Sequence, residues 1–158
     1  MLIKPSALGD VVHTLPVLKL LRRRFSKARI TWMVATAFES LIRSHPDLTD
    51  TMPFDRRGLG DVNQGEDGLV RAADLAADLR DRQFDLVIDL QGLLRSGLIA
   101  WGTHAPVRIG FGYAREGAWL AYTHRVKRPT PSDTRWIAIS TLLRHWAVVA
   151  ARSSSISP

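Results

Sequence analysis

Short apolar runs and helical apolar stripes take turns along this chain. Met1-Leu2-Ile3 is apolar and runs into Lys4-Pro5-Ser6, after which Leu15, Leu18, Leu20 and Leu21 follow a helical rhythm. Residues 28–34 are rich in β-branched and aromatic side chains and predict a second strand. Phe38 to Arg43 predicts a short helix that stops before His45-Pro46. Asp50 to Phe54 predicts a third strand, and Pro53 places it at an edge of the sheet. Residues 55–68 hold four glycines and few apolar positions, which predicts a loop with Arg56 and Arg57 at its root.

Leu69 to Gln83 carries the clearest helical pattern. Leu69, Ala72, Ala73, Ala76 and Leu79 form one stripe, and Arg71, Asp74, Asp78, Arg80 and Asp81 face water. Phe84 to Leu90 predicts a buried parallel strand. Gln91-Gly92 is then a strand-to-helix turn into a helix from Leu93 to Trp101. Val107 to Phe111 predicts a further strand, Ile137 to Val149 a closing amphipathic helix, and residues 151–158 a polar, disordered tail. The alternation predicts an α/β fold, a doubly wound parallel sheet of about five strands that takes up residues 1–150 as one domain.

Ligands of such sheets bind outside the carboxyl ends of the strands. The loop after the first strand is therefore the first place to look for chemistry. Gly9 would let the backbone turn there and leave room for a ligand to approach. Asp10 would stand at the positive end of a helix, either as its cap or as a group that acts on a substrate. Pro16 is tolerable if the regular helix starts near Thr14, with the proline in its first turn. The loop is neither a G-x-G-x-x-G nor a Walker sequence, so it makes no case for a dinucleotide or a P-loop.

Composition narrows the chemistry further. The chain has no cysteine, which removes disulfides and thiolate metal sites. Its five histidines lack the i, i+4 pairing of a zinc site. No apolar run is long enough to span a bilayer and no leader is evident, so a cytoplasmic location is expected. The net charge of +7 suits an anionic partner. Nucleic acid, anionic lipid and a phosphorylated substrate all remain open on that ground. Arg22-Arg23-Arg24 most simply complements a helix dipole.

Several motifs then coincide in order. Residues 6–16, Ser-Ala-Leu-Gly-Asp-Val-Val-His-Thr-Leu-Pro, resemble the opening signature of glycosyltransferase family 9, the lipopolysaccharide heptosyltransferases. Residues 89–96, Asp-Leu-Gln-Gly-Leu-Leu-Arg-Ser, resemble the second signature of the family. Arg108-Ile109-Gly110-Phe111, Ala114-Arg115-Glu116 and Tyr122-Thr123-His124-Arg125 are similar to the segments that come next, and the variants are most similar to the heptosyltransferase I branch. Pro131 to Arg135 departs from the pattern, matching it in Arg135 but lacking its histidine.

The resemblance implies the N-terminal, Rossmann-like half of a GT-B enzyme. The C-terminal donor-binding domain has no counterpart in these residues. It implies that Asp10 is the general base of an inverting transfer of heptose that needs no metal or cofactor. It further implies that Lys4, Gly9, Arg56, Arg57, Gln91 and Arg115 serve substrate binding. Gln91 would either bond the acceptor or pin the Asp10 loop. The expected acceptor is a lipid-linked, phosphorylated core sugar, and the nucleotide-sugar donor would be reached only through the missing domain. Contact with the inner face of the inner membrane is part of the same expectation, and nucleic acid is not. The competing reading is a non-catalytic module for an anionic ligand or nucleic acid. Against nucleic acid, the aromatic residues fall within apolar segments and are not interleaved with basic ones. His13 reads as a packing residue, and Trp101, Trp119 and Trp136 as core or interdomain packing.

Overall fold

The computed structural model describes residues 1–55 and 65–127, with backbone alone at 65–69, 71 and 72. Arg56, Arg57, the segment 131–135, Trp136, the helix expected at 137–149 and the tail expected at 151–158 lie outside the described residues.

The strands are β1 (Leu2–Ile3), β2 (Thr31–Ala35), β3 (Asp50–Phe54), β4 (Leu86–Asp89), β5 (Val107–Phe111) and β6 (His124–Val126). Between them run α1 (Leu8–Arg24), α2 (Thr36–Ile42), α3 (Gly65–Asp81), α4 (Leu94–Gly102) and a 3-10 segment, Arg115–Ala121. The strands form one sheet in the order β3-β2-β1-β4-β5-β6, and every pairing is parallel. The chain steps outward from β1 to β3, returns through α3 to β4 beside β1, and continues to the other edge.

Alternate residues of the central strands supply two cores, as the pleat requires. Leu2, Trp32, Val34 and Ile88 pack with Val11, Val17, Leu18 and Leu21 of α1 on one face. Ile3, Met33 and Val87 pack with Leu79 of α3 and Ile99 of α4 on the other. Helices on both faces explain why the central strands are apolar throughout.

Five expectations are corrected. The sheet has a sixth strand, β6, which is short and polar at the edge and so leaves no periodic signal. Helix α1 begins at Leu8, so Pro16 lies in its interior. The proline is tolerated because it and Val12, whose carbonyl loses its partner, both stand on the exposed side where water serves instead. The N-cap is Ala7, without a side-chain bond, which places Asp10 in the first turn and not at the cap. His13 is exposed and so is not a packing residue. On α3, Ala73 is exposed while Leu75 packs on the core, so the buried stripe is narrower than the alanines suggest.

Candidate active site

The order of the strands reverses direction between β1 and β4, and a crevice at such a point is where open α/β sheets bind ligands. The two strands end together. Leu90 N donates to Ile3 O (3.0 Å), and Lys4 N donates on the other side to Met33 O (3.2 Å). The loop after β1 is tied down by Trp32 Nε1 donating to Lys4 O (3.3 Å) and by Ala35 N donating to Pro5 O (3.0 Å). Helix α1 follows at once, with Thr14 Oγ1 donating to Asp10 O (2.8 Å).

Lys4 is only 6% exposed, and its Nζ lies 2.9 Å from Asp10 Oδ2. An ammonium group taken so far from water needs an opposite charge beside it. The Asp10 side chain remains 34% exposed, so the buried cation holds a carboxylate that still faces out. Gly9 lies in the first turn of the helix and makes no sharp turn, contrary to expectation, but a Cβ there would meet nothing within 4 Å. The space over Gly9 is open.

Across the crevice, the turn after β4 is built on Asp89, which is wholly buried. Its Oδ1 accepts from Gln91 N (2.8 Å) and Gly92 N (3.2 Å), and its Oδ2 accepts from the Tyr122 hydroxyl (2.6 Å). Gly92 takes a φ of +70°, a conformation that suits glycine. Its carbonyl accepts from Arg115 N (2.9 Å), and Leu94 N, at the start of α4, donates to Glu116 Oε2 (3.3 Å). Gln91 and Arg115 are thus brought together through one turn. Gln91 Oε1 is buried without a hydrogen-bond partner among the described residues. That oxygen does not pin the Asp10 loop; the turn is held by Asp89 through the backbone.

Asp89 and Tyr122 did not figure among the expected site residues. The available signals were an acid in an otherwise apolar strand and a glycine, Gly110, inside another. Gly110 gives way to the ring of Tyr122, which packs directly on its backbone. Burial pushes the Asp89 carboxyl above the ordinary carboxylate range, against the pull of its hydrogen bonds from Tyr122, Ser96, Gly92 and Gln91. Burial also raises the Tyr122 phenol above its usual 10.0, helped by the charge of Asp89 and the bond to it. A raised folded-state value means that the stability it contributes is complete below pH 10.0 and is lost as pH climbs beyond it. Denaturant melts above that pH should therefore lose about 1.4 kcal/mol per pH unit through Tyr122. Tyr122→Phe should remove that slope, and an unchanged slope would show that Tyr122 is not the source.

Among the described residues, no group of three or more His, Asp or Glu side chains converges as a metal site requires. What stands at the strand ends is a carboxylate held partly in the open by a buried cation, with the Gln91-Gly92 turn, to which the backbone of Arg115 is bonded, at the end of the neighbouring strand. Such a carboxylate can take a proton from a hydroxyl.

Known proteins resemble this chain in sequence and in fold. Residues 72–142 match the model for glycosyltransferase family 9 (heptosyltransferase). The lipopolysaccharide core heptosyltransferase OpsX of Haemophilus influenzae is 30% identical over 130 residues, which are 81% of this chain and 35% of that protein. Lipopolysaccharide heptosyltransferase 1 of Pseudomonas aeruginosa is 34% identical over 108 residues, 65% of this chain and 28% of that one. The chain therefore spans about a third of the length of the curated relatives it matches. A solved structure of the E. coli heptosyltransferase WaaC with ADP-2-deoxy-2-fluoro heptose superposes with a TM-score of 0.77 at 23% identity, covering 90% of this chain and 46% of that one. The six-stranded fold is thus that of part of a GT-B structure, and over the matched residues the chain is similar to glycosyltransferase family 9, the heptosyltransferases.

Proposed function

We propose that these residues form the acceptor-binding half of an inverting heptosyltransferase that needs neither metal nor cofactor. The observation that carries the reading is the Lys4–Asp10 pair at the reversal point of the sheet. Asp10 takes the proton of an acceptor hydroxyl as its oxygen attacks the anomeric carbon of the donor sugar. The bond from that carbon to the diphosphate breaks on the opposite face, and the configuration inverts. The leaving diphosphate needs no proton, so one carboxylate is enough from this half. The acceptor is an anionic, phosphorylated core sugar, which Arg115, Arg56 and Arg57 bind by charge while the turn of Gln91 shapes the floor of its site. The donor is a nucleoside diphosphate heptose, held by a second domain outside these residues. The whole acts at the cytoplasmic face of the inner membrane.

Two measurements test this. The 158-residue chain alone is expected to show no transfer from ADP-heptose to a de-acylated core acceptor, because nothing orients the diphosphate and the advantage of proximity is lost. Joined to the C-terminal half of a relative it should gain activity; robust turnover by the isolated chain would refute the division of labour. In the joined enzyme, Arg115→Ala should raise the KM for acceptor roughly tenfold with a smaller change in kcat. An unchanged KM would return Arg115 to a solvated surface charge.

A further inference from the structure

Helix α4 is apolar on the side that does not face the core as well as on the side that does. Ser96, Gly97, Ile99 and Ala100 are buried against the domain. Leu94, Leu98 and Trp101, spaced i, i+4, i+7, form a second stripe on the outside, with Leu98 56% and Trp101 58% exposed. A helix that is apolar all round is ordinarily covered on both sides. The 3-10 segment adds Leu120, still more exposed, and packs closely on α4, where a Cβ added to Gly97 would come within 3.0 Å of Ala118 O. Trp101 was expected to pack in the core or between domains; it does not lie in the core of this domain.

Charge selects the occupant. Exposed between Leu94 and Lys127 stand Arg95, Arg115, Arg125 and Lys127 against one acid, Glu116, while Arg108 is half-buried with its guanidinium donating to Ala105 O and Ala121 O. Helix α3, on the same side of the sheet, has the opposite balance, with Glu66, Asp67, Asp74, Asp78 and Asp81 against Arg71 and Arg80. A second copy docking here through its own residues 94–127 would bring like charges together. An anionic bilayer surface takes both parts, the leucines and tryptophan entering the headgroup boundary and the cations meeting the phosphates.

We propose that the outer face of α4, with Leu120, is the surface by which this protein lies on an anionic membrane. Leu94 opens α4 three residues after Gln91, so a membrane on this face runs up to the rim of the crevice. The surface would bring the site to a sugar whose lipid stays in the bilayer. In that purpose alone the proposal rests on the acceptor reading.

The test is co-sedimentation of the whole 158-residue chain with phosphatidylethanolamine–phosphatidylglycerol vesicles and with phosphatidylcholine vesicles. The chain should bind the first and bind the second much less, and binding should weaken as salt rises. Leu98→Ser with Trp101→Ser should lower the bound fraction roughly tenfold or more while leaving the melting temperature nearly unchanged, since both side chains are exposed. Lys127→Glu should weaken binding to the anionic vesicles. Absence of binding overturns the proposal, and so does binding that the double variant leaves intact. A dimer formed without lipid and broken by the same variant would assign the face to a second copy, which also overturns it. The vesicles contain neither sugar nor donor, so failure here leaves the role of Asp10 untouched, and an inactive enzyme leaves the membrane surface untouched.

Discussion

Asp10→Asn, made in the enzyme joined to a donor-binding half, should lower kcat by roughly 10²- to 10⁴-fold, the usual worth of a general base. The KM for acceptor should stay close to that of the parent, because the missing interaction grows only as the proton moves. Stability should fall too, for a reason the helix cap does not supply. Lys4 is buried, and the asparagine keeps an oxygen for its Nζ but removes the opposing charge. Losing that charge should cost about 1–3 kcal/mol. The two effects can be separated. Lys4→Met combined with Asp10→Asn removes the stranded cation, so the melting temperature should recover while the rate stays low. Near-normal turnover by Asp10→Asn would leave Asp10 as nothing more than the counter-ion of Lys4.

The sequence revealed the sheet better than the site because the two rest on different signals. Strands such as Trp32–Val34 and Val87–Ile88 are apolar on both faces, and that pattern survives in one dimension. Strand β6 is a three-residue edge with a histidine and an arginine in it, and nothing local marks it; only its pairing with Ile109, Gly110 and Phe111 does. Parallel pairing could be expected from the alternation of elements, and it puts Asp10 and Gln91 at one end of the sheet; the order β3-β2-β1-β4, which makes their strands neighbours, could not. Motif resemblance supplied their roles.

What escaped the sequence was who holds whom. That Lys4 is buried against Asp10 depends on the indole of Trp32 and the carbonyl of Met33 closing over the strand end, 28 and 29 residues away. That Asp89 is a structural anchor depends on Tyr122, 33 residues further on. Pro16 misled for a related cause. A proline in a helix is judged by the carbonyl it strands, and whether that carbonyl faces water is settled by packing, not by local sequence.

The glycine of Arg108-Ile109-Gly110-Phe111 yields the largest stability effect expected. A Cβ on Gly110 would fall inside the contact distance of three ring atoms of Tyr122, closer than real atoms approach. Gly110→Ala therefore has to move the ring, and the ring cannot move without taking its hydroxyl off Asp89 Oδ2. Overpacking of this kind costs about 1–3 kcal/mol, and a buried carboxylate oxygen left without its donor costs a similar amount again. The sum, about 2–6 kcal/mol, is a large share of what holds a domain of this size together. The melting temperature should drop by roughly 10–20 °C. Tyr122→Phe keeps the ring and loses only the hydroxyl, so it should cost about 1–2 kcal/mol. Tyr122→Ala empties the space, and adding Gly110→Ala to it should lower the melting temperature hardly further, because the clash has gone. Full additivity of those two substitutions would mean that the ring of Tyr122 does not lie on Gly110 and that the Asp89 anchor is held in some other way.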